Sequence, residues 1–250
     1  MILKDTDTRE SISFNDYFSR VSIINLRDRV DRKIEIEHQL EKISLSLSSP
    51  GVELYITDKS TVANGFPSNG AYGCFISHLA VLKQALAHNV AIVLILEDDV
   101  DFIDNRLIEL PVILDDLAKQ DWDICYLGNE LNIESDSDAL FVDYQQDILC
   151  AHLYAVQGTI LPELITFLET ILTRSPGDPA GGPMHYDGAL NTFRSQNPSI
   201  KTLVLRNPIG LQRSSRTDIH PLRFHDRIPV IKTIVALLRK LKNSSFGFFH

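Results

Sequence analysis

Four carboxylates fall within five positions at Glu97-Asp98-Asp99-Val100-Asp101. Side chains this close repel one another, and the usual remedies are a shared proton or a hard divalent cation, Mg²⁺ or Mn²⁺, taking oxygen ligands. A cation held there could grip a phosphorylated substrate. Arg27, Arg29 and Arg32 form a second group, whose forked N–H donors could meet phosphate oxygens. Asp187 follows the Gly/Pro-rich stretch 175–183, and because Asp is a favoured helix cap it reads locally as an N-cap for a helix over 188–196. Ser77-His78 looks like a nucleophile and its base. Consecutive helical residues point about 100° apart, so the two cannot pair directly, and His78 reads instead as a group that orients a ligand or satisfies buried backbone.

These residues need elements to position them. Residues 91–96 are all apolar and run straight into the acidic cluster, which is the pattern of a central parallel strand buried on both faces. In open α/β sheets the ligand crevice lies at the carboxyl ends of such strands. Residues 21–26 read as a first strand ending just before the arginines. A helix from near Asp31 then carries Ile36, Leu40, Ile43 and Leu47 on one face, and residues 52–56 supply a second strand. Phe75, Leu79, Leu82 and Leu86 repeat at helical spacing, as do Leu107, Leu110, Leu114 and Leu117 ahead of a strand at 124–127. Residues 129–147 are acidic and read as a mobile loop, followed by a strand over 149–156 and a helix over 161–174. The alternation predicts an α/β fold with a mostly parallel central sheet flanked by helices.

Composition narrows the classes. A chain of 250 residues with 44% hydrophobic and 23% charged residues suits one soluble α/β domain. Its longest apolar runs are too short to span a bilayer, and Met1-Ile2-Leu3-Lys4 leads into polar sequence rather than a secretory h-region, so a cytoplasmic protein is expected. Cys74, Cys125 and Cys150 read as reduced thiols packed as small hydrophobes. A net charge of −9 argues against nucleic-acid binding. The expected organisation is an extension over 1–20 with a short helix near Phe14-Tyr17-Phe18, a domain over 21–226, and a basic amphipathic tail over 227–250. Such a tail suits peripheral contact with the anionic inner face of the cytoplasmic membrane, or packing against the domain with its lysines outward.

Ile24-Asn25-Leu26 with Arg29, Asp31 and Arg32, then Gly73-Cys74, Ser77-His78 and Leu96-Glu97-Asp98-Asp99-Val100, resemble glycosyltransferase family 25. The similarity continues through Tyr126-Leu127-Gly128, His152, Tyr154, Tyr186-Asp187, Gln212 and Thr217-Asp218-Ile219. It implies a GT-A-type nucleotide-sugar-binding fold and inverting transfer of a sugar from a UDP-sugar donor, usually with Mn²⁺ or Mg²⁺. Bacterial lipooligosaccharide β-galactosyltransferases belong to this family, so the implied donor is UDP-galactose and the implied acceptor an oligosaccharide or lipid-linked surface glycan.

On that resemblance Asp99 is the expected metal ligand. Asp101 either joins it or caps the next helix. Glu97 and Asp98 support ribose and metal-bound water, while Asn25, Arg29, Arg32, His78, Gln212 and Asp218 contact the donor; Gln212, Ser215 and Asp218 match a segment that closes over the donor, and His220 or Asp218 is a candidate for a further metal ligand. Asp187 is the expected base. Ile56-Thr57-Asp58-Lys59 departs from the family's Ala-x-Asp-Gly, and His185-Tyr186 from its usual Pro-Ile or Pro-Val. Two rival readings stand beside this one: a metal-dependent phosphatase using Asp99 and Asp101, and a relative that binds nucleotide without catalysis.

Overall fold

The computed structural model describes residues 12–133 and 138–213. Asp218, Ser215, His220 and the tail over 227–250 lie outside them. The elements in chain order are α1 (Phe14–Tyr17), β1 (Arg20–Leu26), α2 (Val30–Lys42), β2 (Val52–Thr57), α3 (Asn69–Ala87), β3 (Ile92–Glu97), β4 (Val100–Phe102), α4 (Asp104–Leu107), α5 (Leu110–Leu117), β5 (Ile124–Tyr126), β6 (Phe141–Asp143), β7 (Leu153–Gln157), α6 (Leu161–Ile171), α7 (Tyr186–Gln196), β8 (Thr202–Leu205) and β9 (Gly210–Gln212).

Seven strands form one sheet in the order β2-β1-β3-β7-β5-β8-β6. Five of them run in one direction; β7 and β6 are antiparallel to their neighbours. This is the mostly parallel, helix-flanked α/β sheet expected. A two-stranded ribbon pairs β4 with β9.

The period-2 alternation of side chains sorts the sheet into two cores. Val93 and Ile95 of β3, with Tyr154 and Val156 of β7, pack under α3, α6 and α7. Leu94 and Leu96, with Val21 and Ile23 of β1, pack under α2 and α5 on the opposite face. Continuing the alternation, Glu97 falls on the α3/α7 face and Asp98 reaches toward α2. Strand pleat alone thus sends consecutive carboxylates to different partners.

Several details differ from the sequence reading. The helix expected to carry Leu107 through Leu117 is two helices, with Pro111 in the first turn of α5, where its missing N–H leaves no helical bond unmade. Strand β6 lies within the stretch read as a mobile acidic loop, and β4, β8 and β9 were not foreseen. Phe14 and Phe18, from the segment read as an extension, are buried in the α2/α5 core.

Candidate active site

A cavity of about 190 Å³ opens at the carboxyl ends of β1 and β3. Its floor is Glu97, Asp98 and Asp99; its walls include Arg32 of α2, Cys74, Ser77 and His78 of α3, the segment Thr57-Asp58-Lys59-Ser60 after β2, and Gln212 of β9. The crevice rule for parallel sheets places it where the sequence pattern did.

Asp98 is held on the α2 side. Asn25 Nδ2 donates to its Oδ2 at 2.7 Å and Arg32 Nη1 to its Oδ1 at 2.7 Å, with all three side chains buried. The same Arg32 nitrogen lies 3.2 Å from Asp99 Oδ2. One guanidinium therefore faces two buried carboxylates, and the local charge remains negative. Burial, reinforced by the neighbouring Glu97 charge and only partly opposed by Arg32, raises the Asp99 pKa to about 7.

Glu97 faces two ways. Its Oε1 is 3.2 Å from His78 Nε2 and 4.0 Å from Cys74 Sγ, and its Oε2 accepts from Gln212 Nε2 at 3.2 Å. Burial opposes its ionisation, yet the bond to His78 and the fields of His78, His152 and Arg32 hold its pKa below the usual value. Gln212 Nε2 also lies 3.4 Å from Asp99 Oδ1. An amide N–H₂ dipole thus stands between a buried carboxylate, Asp99, and a partly buried one, Glu97. That is a position a hard dication could take with oxygen donors on both sides, so Glu97 and Asp99 fit the metal the sequence calls for.

Behind the carboxylates runs a buried polar chain: His78 Nδ1 to Tyr154 Oη at 3.0 Å, then Tyr154 Oη to Tyr186 Oη at 2.8 Å. Tyr186 opens α7, and Asp187 follows it. Asp187 Oδ2 accepts from Cys150 N–H at 3.1 Å and Oδ1 from Gly188 N–H at 2.8 Å. The helix cap is His185, so the expectation that Asp187 itself caps the helix is corrected. Burial, with the charges of Glu97, Asp187 and Asp99 adding to it, raises the Cys74 thiol pKa; Asp187 is not among the residues that line the cavity.

Other expected site residues lie elsewhere. Arg29 makes a forked contact with Asp31, Nε to Oδ1 at 3.0 Å and Nη2 to Oδ2 at 2.9 Å, and does not line the cavity. Arg27 pairs with Asp58 at 2.8 Å. Asp101 does not share the cavity with Asp99. It accepts from Arg213 Nε at 3.0 Å and Gln39 Nε2 at 3.1 Å, because it lies in β4, beyond the turn that holds Asp99, where pairing with β9 brings Arg213 beside it. It does not cap α4, whose N-cap is Ile103.

Cys74, Tyr154 and Tyr186 had been given no chemical role in the sequence reading. Only the i, i+4 spacing of Cys74 and His78, which sets both on one face of α3, signalled the first. Nothing local signals the tyrosines, since their meeting depends on β7 and α7 packing together.

Residues 57–150, the stretch from the cavity wall after β2 through the acidic cluster, match the family described as glycosyltransferase family 25 (LPS biosynthesis protein). Among curated proteins, procollagen galactosyltransferase 1-A of Xenopus laevis is 30% identical over 132 residues, covering 45% of this chain and 21% of that protein. Inactive glycosyltransferase 25 family member 3 of Mus musculus is 28% identical over 131 residues, covering 45% and 22%. The chain thus matches about a fifth of the length of these relatives. A glycosyltransferase involved in glycosylation of the major capsid of PBCV-1 aligns at TM-score 0.48 and 12% identity, over 79% of this chain and 96% of that one. Among the described residues, no helix is long and apolar enough to cross a membrane.

Proposed function

We propose that this protein is an inverting glycosyltransferase that moves a sugar, galactose from UDP-galactose, onto an oligosaccharide or lipid-linked acceptor of a bacterial surface glycan. The observation that carries the reading is the cavity at the end of β3, where Asp99 is buried beside a partly buried Glu97 with too little positive charge to balance them. The family 25 match across the same residues supports it.

In this reading Glu97 and Asp99 would hold Mn²⁺ or Mg²⁺, which when bound neutralises charge building on the departing diphosphate. Arg32 adds a fixed positive charge beside the same oxygens, and Asn25 with Arg32 keeps Asp98 rigid. With those carboxylates engaged by a cation, the Gln212 amide, which now lies 3.2 Å from Glu97 Oε2, would be available to donate to the nucleotide sugar. Asp187 accepts the proton of the acceptor hydroxyl as that oxygen attacks the anomeric carbon from the face opposite the leaving group. Two backbone N–H donors keep its carboxylate oriented for this.

The phosphatase reading needs Asp99 and Asp101 to converge on one phosphate, and Asp101 is instead engaged by Arg213 and Gln39. The non-catalytic reading is separated by turnover: purified protein with Mn²⁺ and UDP-galactose should release UDP, and Asp99→Asn should abolish the release. Binding of UDP without any turnover in the presence of glycan acceptors would leave only a nucleotide-binding relative.

A further inference from the structure

Cys74, His78 and Glu97 present a thiol, an imidazole nitrogen and a carboxylate oxygen, all within 4.8 Å of one another. The glycosyltransferase reading uses Glu97 through its Oε2 edge and gives Cys74 nothing to do. We infer that these three residues form a separate soft-metal site, selective for Zn²⁺, on the Oε1 edge of Glu97.

The chemistry of the set differs from that of a Mn²⁺ or Mg²⁺ site. A thiolate, an imidazole and one carboxylate suit zinc, whereas hard cations take oxygens. The spacing fits as well. Bond lengths of about 2.3 Å to sulfur and about 2.0 Å to nitrogen and oxygen put the ligand atoms of a tetrahedral zinc about 3.3–3.6 Å apart. Here Nε2 to Oε1 is 3.2 Å, Sγ to Oε1 is 4.0 Å and all three ligand atoms lie within 4.8 Å of one another, so closure requires the thiol to move inward by up to about 1 Å.

A second observation points to a ligand. Zinc-binding histidines are usually fixed by a hydrogen bond at the other ring nitrogen, and His78 Nδ1 has one, to Tyr154 Oη at 3.0 Å. The Tyr154–Tyr186 hydroxyl pair can donate in either direction, so it can accept from Nδ1–H and leave the Nε2 lone pair to the metal. Stacking of His78 on Tyr186, with centroids 4.0 Å apart, holds the ring plane. Cys74 and His78, four residues apart, share one face of α3, and all three residues line the cavity, which gives a path for entry. As the Zn–S bond forms, the thiol proton passes to solvent, and no atom changes oxidation state.

Glu97 is shared, so zinc at this site withdraws it from the donor cation. The consequence is inhibition by zinc that rises as Mn²⁺ falls, and this consequence alone rests on the glycosyltransferase reading. The site itself is tested with Co²⁺ alone as a spectroscopic probe. Metal-free protein titrated with Co²⁺ should develop a thiolate charge-transfer band in the near ultraviolet, saturating at one equivalent and bleached by Zn²⁺. Cys74→Ser should lose the band and weaken Zn²⁺ binding, measured by chelator competition, by at least about 100-fold. Cys74→Ala serves as the second variant, with near-ultraviolet circular dichroism confirming that each is folded. Asp99→Asn should keep the band while losing Mn²⁺-dependent UDP binding, so failure of the donor reading and failure of the zinc site give different results. No band, or a band that survives at Cys125 or Cys150 in the Cys74 variants, overturns the assignment.

Discussion

The imidazole of His78 lies flat against the phenol of Tyr186, with ring centroids 4.0 Å apart and planes 12° from parallel. Through this contact the helix that carries Asp187 is registered against the helix that steadies Glu97. The proposed base and the proposed cation site are therefore positioned by one another, although 90 positions separate Glu97 from Asp187 in the chain.

Tyr186 is 3% exposed, so its truncation has a packing cost as well as a positional one. Tyr186→Ala should destabilise the fold by about 3–5 kcal/mol, the range for large aromatic truncations in a core. Tyr186→Phe loses only the bond to Tyr154, so about 1 kcal/mol is expected in urea unfolding. Equal losses in the two variants would show that the stacked ring contributes nothing beyond its hydroxyl.

Asp187→Asn replaces an acceptor of two backbone N–H groups and removes the only carboxylate in the first turn of α7. Turnover should fall about 10²–10⁴-fold, the usual worth of a positioned base, while UDP binding in Mn²⁺ stays within about threefold of the parent. Retained turnover would remove Asp187 from the mechanism.

Arg32 is 8% exposed and faces both Asp98 and Asp99. Arg32→Met leaves two buried carboxylates without their cation, which costs about 3–5 kcal/mol in comparable pairs. Part of that loss should be recovered by adding Mn²⁺, a replacement counter-charge, and chemical denaturation with and without the metal checks both statements.

Asp99 supplies a pH signature in metal-free protein. Its folded pKa, about 7, lies above the unfolded value of about 3.9, so between these pH values the native state binds a proton that the unfolded chain does not. Stability from this group is present at low pH and is lost as pH rises through about 7. In EDTA, Asp99→Asn should therefore gain in melting temperature relative to the parent between pH 5 and pH 8. Parallel pH profiles for the two proteins would contradict the assigned environment.

Much of this arrangement was legible in the chain. The apolar run of β3 ending in acids, and the strand β1 ending at the arginines, are local patterns, and they placed Arg32, Glu97, Asp98 and Asp99 around one crevice; His78 joined them only through the family resemblance. What escaped depends on partners distant in sequence. The three-residue strands β4 and β9 are too short to show a period, yet their pairing brings Gln212 to Glu97 and Arg213 to Asp101. That pairing is why Asp101, adjacent in the motif, faces away from the cavity.

Calorimetry of UDP binding, run with and without Mn²⁺ on the parent and on Asp99→Asn, bears most directly on the central claim. The account predicts that UDP binds the parent at one site only when Mn²⁺ is present and that Asp99→Asn abolishes this binding with its fold intact. UDP binding that ignores Mn²⁺, or that persists unchanged in Asp99→Asn, would contradict it.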